Sequence, residues 1–511
     1  MWMDGIVYFT LVPALVMGLA ALLSGGLSWQ HDRGWLLFKG LTITALLATV
    51  VSAGIVAVHA WSAPPASFSM FGLFVSPLQA MMACLVQLLG WVIGQFSARY
   101  LEGEAKQKNF VTALSLVLAS VHVLLIADHW LLFVAAWSAI GFCLKHLLCF
   151  YAERPFALLA SHKKTVADVL ADSLLMLTAL IAYVETGSAY ISVFLAHVAS
   201  HGLSQLSSWC ALLLVVVIVL KTALLPVHGW LIQVMEAPTP VSALLHAGVV
   251  NLSGYVLIRF APLFEQATLA RHVLLAIGLV TCLFASLVMF TRVSIKVRLA
   301  WSTVAQMGFM VVECALGLYT FAALHLLGHS IYKAYAFLSA AEIVTHTRVQ
   351  RMAGKSVFAK LSLILAPELT TLLVFAVQYS TGAQLWPAWW SLVLALAWAP
   401  LLWQAVGQSS SLRLQSLLFG TLLTLLLTLV SVLFHHLPLG IQDHPDLAAG
   451  WLTVLAMAML YAATIMIQWM PARLDALHRW VYAGFYLDEF YTRWVLRLWP
   501  VSLGKSTHAN Y

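Results

Sequence analysis

The chain has 511 residues, 62% of them hydrophobic and only 9% charged. A soluble protein carries roughly 25% charged residues, and apolar runs of bilayer-spanning length recur here from end to end. This excludes a large soluble domain, and the formal net charge of +7 reports loops beside a lipid bilayer rather than a nucleic-acid surface.

The N-terminus, MWMDGIVYFT, has no basic n-region and no small-residue cleavage site, so no signal peptide is expected to be removed. Hydropathy then predicts an all-α polytopic membrane protein of about fifteen transmembrane helices. The spans are 5–23, 35–60, 73–96, 110–128, 130–151, 169–190, 208–224, 239–260, 271–290, 298–318, 321–346, 356–378, 386–405, 412–434 and 446–469. They divide into N-terminal helices (1–72), a core (73–350), C-terminal helices (351–470) and an amphipathic tail (471–511).

Loop charges orient the spans. Loops after odd-numbered spans carry Arg33; Arg99, Lys106 and Lys108; Arg154, Lys163 and Lys164; Arg292, Lys296 and Arg298; Arg348, Arg351 and Lys355; and Arg413. The loop after span seven is the exception, with no lysine or arginine. Loops after even-numbered spans carry only Arg259 and Arg271. The positive-inside rule therefore expects the N-terminus outside, and the tail with Arg473, Arg479, Arg493 and Arg497 in the cytoplasm.

Ionisable groups inside the spans are the functional signal, since each is costly to insert. Asp172 lies near the start of span six. Lys221 ends a long apolar run in span seven, and five residues later Pro226 is expected to break that helix. Pro238 and Pro240 mark the turn into span eight, where His246 is expected to face Lys221. His325, His329 and Lys333 fall at i, i+4 and i+8 on one face of span eleven. Glu313 and Glu342 close spans ten and eleven, and Glu368 follows Pro367 in span twelve. Buried lysines can load and release protons near neutral pH, and histidine titrates there unaided. The string therefore suits a water-bridged proton relay.

Other features read more plainly. The six cysteines form no CxxC pair, and Cys143, His146 and Cys149 lack a fourth ligand, so no metal or other cofactor is expected. Trp386, Trp389 and Trp390 are expected to anchor the membrane interface. The aromatic tail, ALHRWVYAGFYLDEFYTRWVLRLWP, fits both an interfacial helix and a docking element.

The stretch KTALLPVHGWLIQVMEAPTPVSALLHAG resembles the signature of the antiporter-like subunits of respiratory complex I and of multisubunit Na+/H+ antiporters. IKVRLAWSTVAQMGFM and LHLLGHSIYKAYAFL resemble the next two helices of that family, so the likeness covers roughly residues 70 to 345. It implies two inverted five-helix repeats, a broken seventh helix and a hydrated polar axis. Lys221 matches the family's central lysine, His246 the histidine of helix eight, His325, His329 and Lys333 the helix-eleven series, and Asp172 the aspartate of helix six. Two family acids are missing: Ser138 stands where helix five usually has glutamate, and Ser294 where an aspartate precedes Ile-Lys. Glu368 is the one acidic group offered near the second expected helix break.

The tail box YLDEFYTRW resembles the one after helix fifteen of the largest such complex I subunit, without the long lateral helix that follows it there. In length, tail and missing glutamate the chain is most similar to the membrane subunit of DabA/DabB-type inorganic-carbon pumps. That resemblance implies a transporter subunit of the bacterial inner membrane, not itself an enzyme. It would conduct H+ or Na+ to drive a large cytoplasmic, zinc-containing DabA-like partner that turns CO2 into bicarbonate. A proton-translocating complex I-like subunit and a Na+/H+ antiporter subunit are the other functions it allows.

Overall fold

The computed structural model describes residues 2–26, 31–62, 68–340, 358–382, 385–407, 409–469 and 475–500. Glu342 and the loop charges Arg348, Arg351, Lys355 and Arg473 lie outside the described residues, as does the boundary drawn at 350.

The chain is a helical membrane bundle. Among the described residues, twelve helices are long and apolar enough to cross a bilayer. The first half runs α1 (Trp2–Gly26), α2 (His31–Ser62), a two-stranded hairpin, α3 (Pro77–Tyr100), α4 (Gln107–Ile126), α5 (Trp130–Leu148) and α6 (Pro155–Thr186). Next come α7 (Ile191–His201), α8 (Gln205–Thr222), α9 (Gly229–Ile232), α10 (Thr239–Ala247), α11 (Leu252–Arg259) and α12 (Ala261–Gln266). Then follow α13 (Thr268–Thr291), α14 (Ile295–Ala315) and α15 (Tyr319–Leu338). The later helices are Lys360–Ser380, Ala388–Trp398, Ser410–His435 and Leu447–Trp469, with two tail helices, Asp475–Tyr482 and Leu487–Leu498.

Local chemistry sets the helix ends. Ser76 caps α3 through its Oγ, with Pro77 at the first helical position. The hairpin pairs Phe68–Met70 with Leu73–Val75 through a Phe71-Gly72 turn in which both residues have positive φ. It replaces the start of expected span three.

Three further differences matter. Helix α6 starts at Pro155, well before the expected 169, and runs to a left-handed Gly187. Lys163 and Lys164, read as loop residues, are therefore buried inside it. The expected span 239–260 is two helices, α10 and α11, separated by a 3-10 turn at Val249–Asn251. Helix α7 lies in a stretch between expected spans.

Small residues bring helices close. A Cβ on Gly278 of α13 would lie 2.9 Å from the Gly308 carbonyl oxygen of α14, and the converse distance is also 2.9 Å. The outer faces of Lys360–Ser380, Ser410–His435 and Leu447–Trp469 present rows of exposed Leu, Ile and Val, as a lipid-facing surface does. The three tryptophans expected at the interface are instead buried. Trp390 stacks on Phe309 of α14 and Trp389 fills the space left by Gly450, because their helix packs inside the bundle.

Candidate functional site

Helix α8 stops one residue after Lys221. Ala223 takes a left-handed φ of 57°, Pro226 follows in a cis Leu225–Pro226 peptide, and helix resumes only at Gly229. Pro238 then caps α10, with Pro240 in its first turn. The three prolines thus punctuate the broken helix as expected.

The break holds Lys221 among carboxylates. Its Nζ lies 2.7 Å from Asp172 Oδ1 and 3.2 Å from Asp168 Oδ1, and 5.7 Å from the Trp137 ring centre. These are charge contacts without hydrogen-bond alignment, since neither Lys221 Nζ nor Asp172 Oδ1 has a well-directed hydrogen-bond partner in the protein. Asp168 also takes Lys164, whose Nζ is 2.5 Å from its Oδ2. Lys164 caps the ring of Trp230 at 4.8 Å.

Lys164, Asp168 and Asp172 are spaced by four and share one face of α6. Asp172 was visible in the sequence; Lys164 and Asp168 were hidden by placing the helix start at 169. They also account for Ser138. The acid partners of the central lysine come from α6, and Gly141 on α5 clears their space.

A second cluster forms around α15. His246 is fully buried, and its ring stacks on Phe337 of α15 with centroids 4.6 Å apart. The sequence reading set it opposite Lys221, whereas its ring contact places it with the α15 series. Lys333 donates to the Leu299 carbonyl at 3.0 Å and also to Ser302 Oγ, both on α14. One turn away is buried His329, then His325, with ring centroids 5.9 Å apart. His325 Nδ1 lies 2.7 Å from Glu313 Oε2. The i, i+4, i+8 series therefore forms one row and acquires Glu313 at its end.

The two clusters meet across both helix breaks. Helix α8 packs on α11 and on the Val249–Asn251 turn. Asn251 ties that turn to α15, donating to the Ala247 carbonyl at 2.9 Å and to Ser330 Oγ at 2.7 Å. Around the junction sit buried polar atoms without a protein hydrogen bond: Thr222 Oγ1, His228 Nε2, Asn251 Oδ1, Ser253 Oγ and both ring nitrogens of His246 and His329. Buried polar atoms are seldom left unpaired, and a row of them is the setting for ordered water.

Glu368 is not part of this axis. It is exposed on the outer face of Lys360–Ser380. A cavity of about 570 Å³ opens beside α15, with Glu313, His325 and His329 on one wall and apolar side chains such as Phe290, Leu427 and Met457 on the others.

Each end of the axis carries a buried ion pair. At the hairpin end, Asp128 accepts from Arg259 Nη2 at 3.2 Å, from Ser192 N at 3.0 Å and Ser192 Oγ at 2.6 Å, and from Ser69 Oγ of the hairpin. At the opposite end, Lys163 Nζ lies 2.7 Å from Asp488 Oδ1 and 2.8 Å from Thr492 Oγ1 of the tail. Asp488 Oδ2 accepts from Gln233 at 3.0 Å, and Asp488 Oδ1 fills the space that a Cβ on Gly229 would need. Burial pushes the Tyr491 hydroxyl up to about 12, so its ring stays neutral where it meets Lys163 at 5.7 Å. The tail box therefore docks onto its own chain, beside the helix break, while Trp480, Tyr486, Phe490 and Trp494 remain exposed. Among the described residues, no three His, Cys, Asp or Glu side chains group to hold a metal.

Residues 127–413 match the family model described as NADH:quinone oxidoreductase/Mrp antiporter, TM. The probable inorganic carbon transporter subunit DabB of Hydrogenovibrio crunogenus is 36% identical over 500 residues, 94% of this chain and 93% of that one. The probable inorganic carbon transporter subunit DabB2 of Halothiobacillus neapolitanus is 36% identical over 451 residues, 84% of this chain and 81% of that one. The fold is also that of a chain in the Mrp complex from Dietzia sp. DQ12-45-1b, with a TM-score of 0.60 and 19% identity, covering 96% of this chain and 60% of that one. The chain therefore belongs to the NADH:quinone oxidoreductase/Mrp antiporter transmembrane family and, within it, groups with the DabB subunits.

Proposed function

We propose that this chain is the membrane subunit of an energy-coupled inorganic-carbon accumulation complex. It conducts a cation, H+ in the reading preferred here over Na+, along the buried row from Lys164, Asp168, Lys221 and Asp172 to His246, Lys333, His329, His325 and Glu313. The flow drives a large cytoplasmic, zinc-containing DabA-like partner that hydrates CO2. The chain itself does no covalent chemistry. It sits in the bacterial inner membrane, with the hairpin end outside and the tail end in the cytoplasm, as the loop charges favour.

One observation carries the reading: Lys221 sits between two carboxylates at a helix break, held by charge rather than by aligned hydrogen bonds. Asp168 and Asp172 are the charge partners of this amine, and a small movement of α6 against α8 would separate it from them. Discontinuous membrane helices place such sites at the midplane of transporters. The names of the DabB relatives support the carbon substrate.

The test is growth in air of cells lacking carbonic anhydrase, with the chain expressed beside its DabA-like partner. Rescue is expected, and Lys221→Ala should abolish it. No rescue, or rescue that survives Lys221→Ala, contradicts the proposal. The family model and the Mrp fold favour a second reading, a subunit of a Na+/H+ antiporter. Salt-sensitive growth on deletion, with inorganic-carbon uptake unchanged, would select it. A complex I-like redox subunit would instead copurify with iron–sulfur proteins.

A further inference from the structure

The row ends at His325 and Glu313, whose side chains are largely buried, and a second buried pair lies beyond it. His435 closes the helix Ser410–His435, and Asp443 sits in the loop that follows. The His435 side chain is 7% exposed and that of Asp443 13%. His435 Nδ1 lies 2.7 Å from the Ser431 carbonyl oxygen. A carbonyl only accepts, so Nδ1 carries the hydrogen, and Nε2 of the neutral ring is a lone pair. Nε2 faces Asp443 Oδ2 at 3.5 Å, and neither atom has another hydrogen-bond partner in the protein. Two acceptors thus point at each other in a buried site, and a proton between them removes the conflict.

The surroundings place this pair between the row and the outside. Asp443 Oδ1 accepts from the Thr320 backbone N–H at 2.8 Å, at the start of α15. Phe321, one turn before His325, packs on the His435 ring at 4.8 Å. Phe321 and Ser431 line the same cavity as Glu313 and His325. On the far side, His444 is half exposed and lies 3.8 Å from Glu265, while His272 lies 3.8 Å from Asp446. Arg271, bonded to the Ala315 carbonyl at 3.0 Å, is the neighbouring fixed cation.

We propose that His435 and Asp443 form the proton port at the end of the bundle opposite the tail, passing protons between the His325–Glu313 pair and bulk water. The inference rests on the proton-conducting reading above. A proton arriving from the row adds to His435 Nε2 and gives an imidazolium paired with the Asp443 carboxylate. It leaves from the same nitrogen to water beside His444 and Glu265, while the Nδ1 hydrogen stays on Nδ1, donated to the Ser431 carbonyl. No group changes oxidation state: each transfer breaks one N–H or O–H bond at the donor and forms one at the acceptor, with water as the final acceptor.

The experiment uses the full chain in proteoliposomes, with a valinomycin-clamped potential and trapped pyranine to report proton flux. His435→Ala and Asp443→Asn should each slow flux about a hundredfold, the low end for losing a positioned proton carrier. Imidazole added on the port side should restore flux to His435→Ala, a rescue that a packing role would not give. Wild-type flux in both variants, with flux abolished in Lys221→Ala, overturns the port and leaves the central reading standing. Wild-type flux in all three overturns both. Loss in His435→Ala that imidazole does not restore, at unchanged thermal stability, assigns the ring a packing role and also overturns the port.

Discussion

Asp168 occupies the space that a side chain on Gly141 would need: a Cβ at 141 would lie 2.6 Å from Asp168 Oδ2. That oxygen already holds Lys164, and its partner oxygen faces Lys221. Helix α5 therefore contributes absence of bulk where the family resemblance expects a glutamate one turn earlier. Gly141→Ala should displace the carboxylate from both amines while leaving the bundle folded. Proton flux in proteoliposomes is expected to fall by about tenfold to a hundredfold, as small misplacements at a reactive group do. Unchanged flux would mean that the Asp168 position is not critical.

The tail latch gives a structural readout. Asp488 neutralises Lys163, whose side chain is fully buried, and lies against Gly229 at the helix break. Asp488→Asn removes the counter-ion, and Gly229→Ala pushes the carboxylate away by bulk. Both should release the tail and raise trypsin cleavage at Arg493 and Arg497. Equal cleavage of the variants and the parent would show that other contacts hold the tail.

At the hairpin end, Asp128 is fully buried and gathers α7, α11 and the hairpin around one carboxylate. Asp128→Ala removes the carboxylate paired with the buried Arg259 guanidinium, which costs about 3–5 kcal/mol when a buried pair is broken. Asp128→Asn keeps some of the hydrogen bonds and should cost less. Thermal melting in detergent should rank Asp128→Ala below Asp128→Asn and both below the parent. Indistinguishable melting curves would contradict this role.

Much of the axis was legible in the chain. Lys221, His246, His329 and Lys333 stand out because each interrupts an apolar run, and the i+4 spacing fixes a common face. Pro226 and Pro238 mark the first break for the same reason of backbone chemistry. Lys164 and Asp168 were obscured because Arg154, Lys163 and Lys164 together read as loop charges; their burial depends on partners distant in sequence. The second break, at Gly248, carries no proline and no charge, and its stabiliser is Asn251, an ordinary residue until α15 is placed beside it. Glu368 shows the opposite failure. Its helix is apolar on every side, so hydropathy does not say which face turns inward, and the carboxylate lies on the outer one.

The central claim is that the amine at position 221 carries charge across the membrane. Lys221→Met keeps an unbranched side chain of similar bulk and removes its charge, so it is the sharpest substitution. In proteoliposomes with an imposed potential, proton flux should fall at least about a hundredfold, in line with loss of a proton-transfer group, while melting and helix content stay near those of the parent. Flux equal to that of the parent would place the route elsewhere and contradict the account.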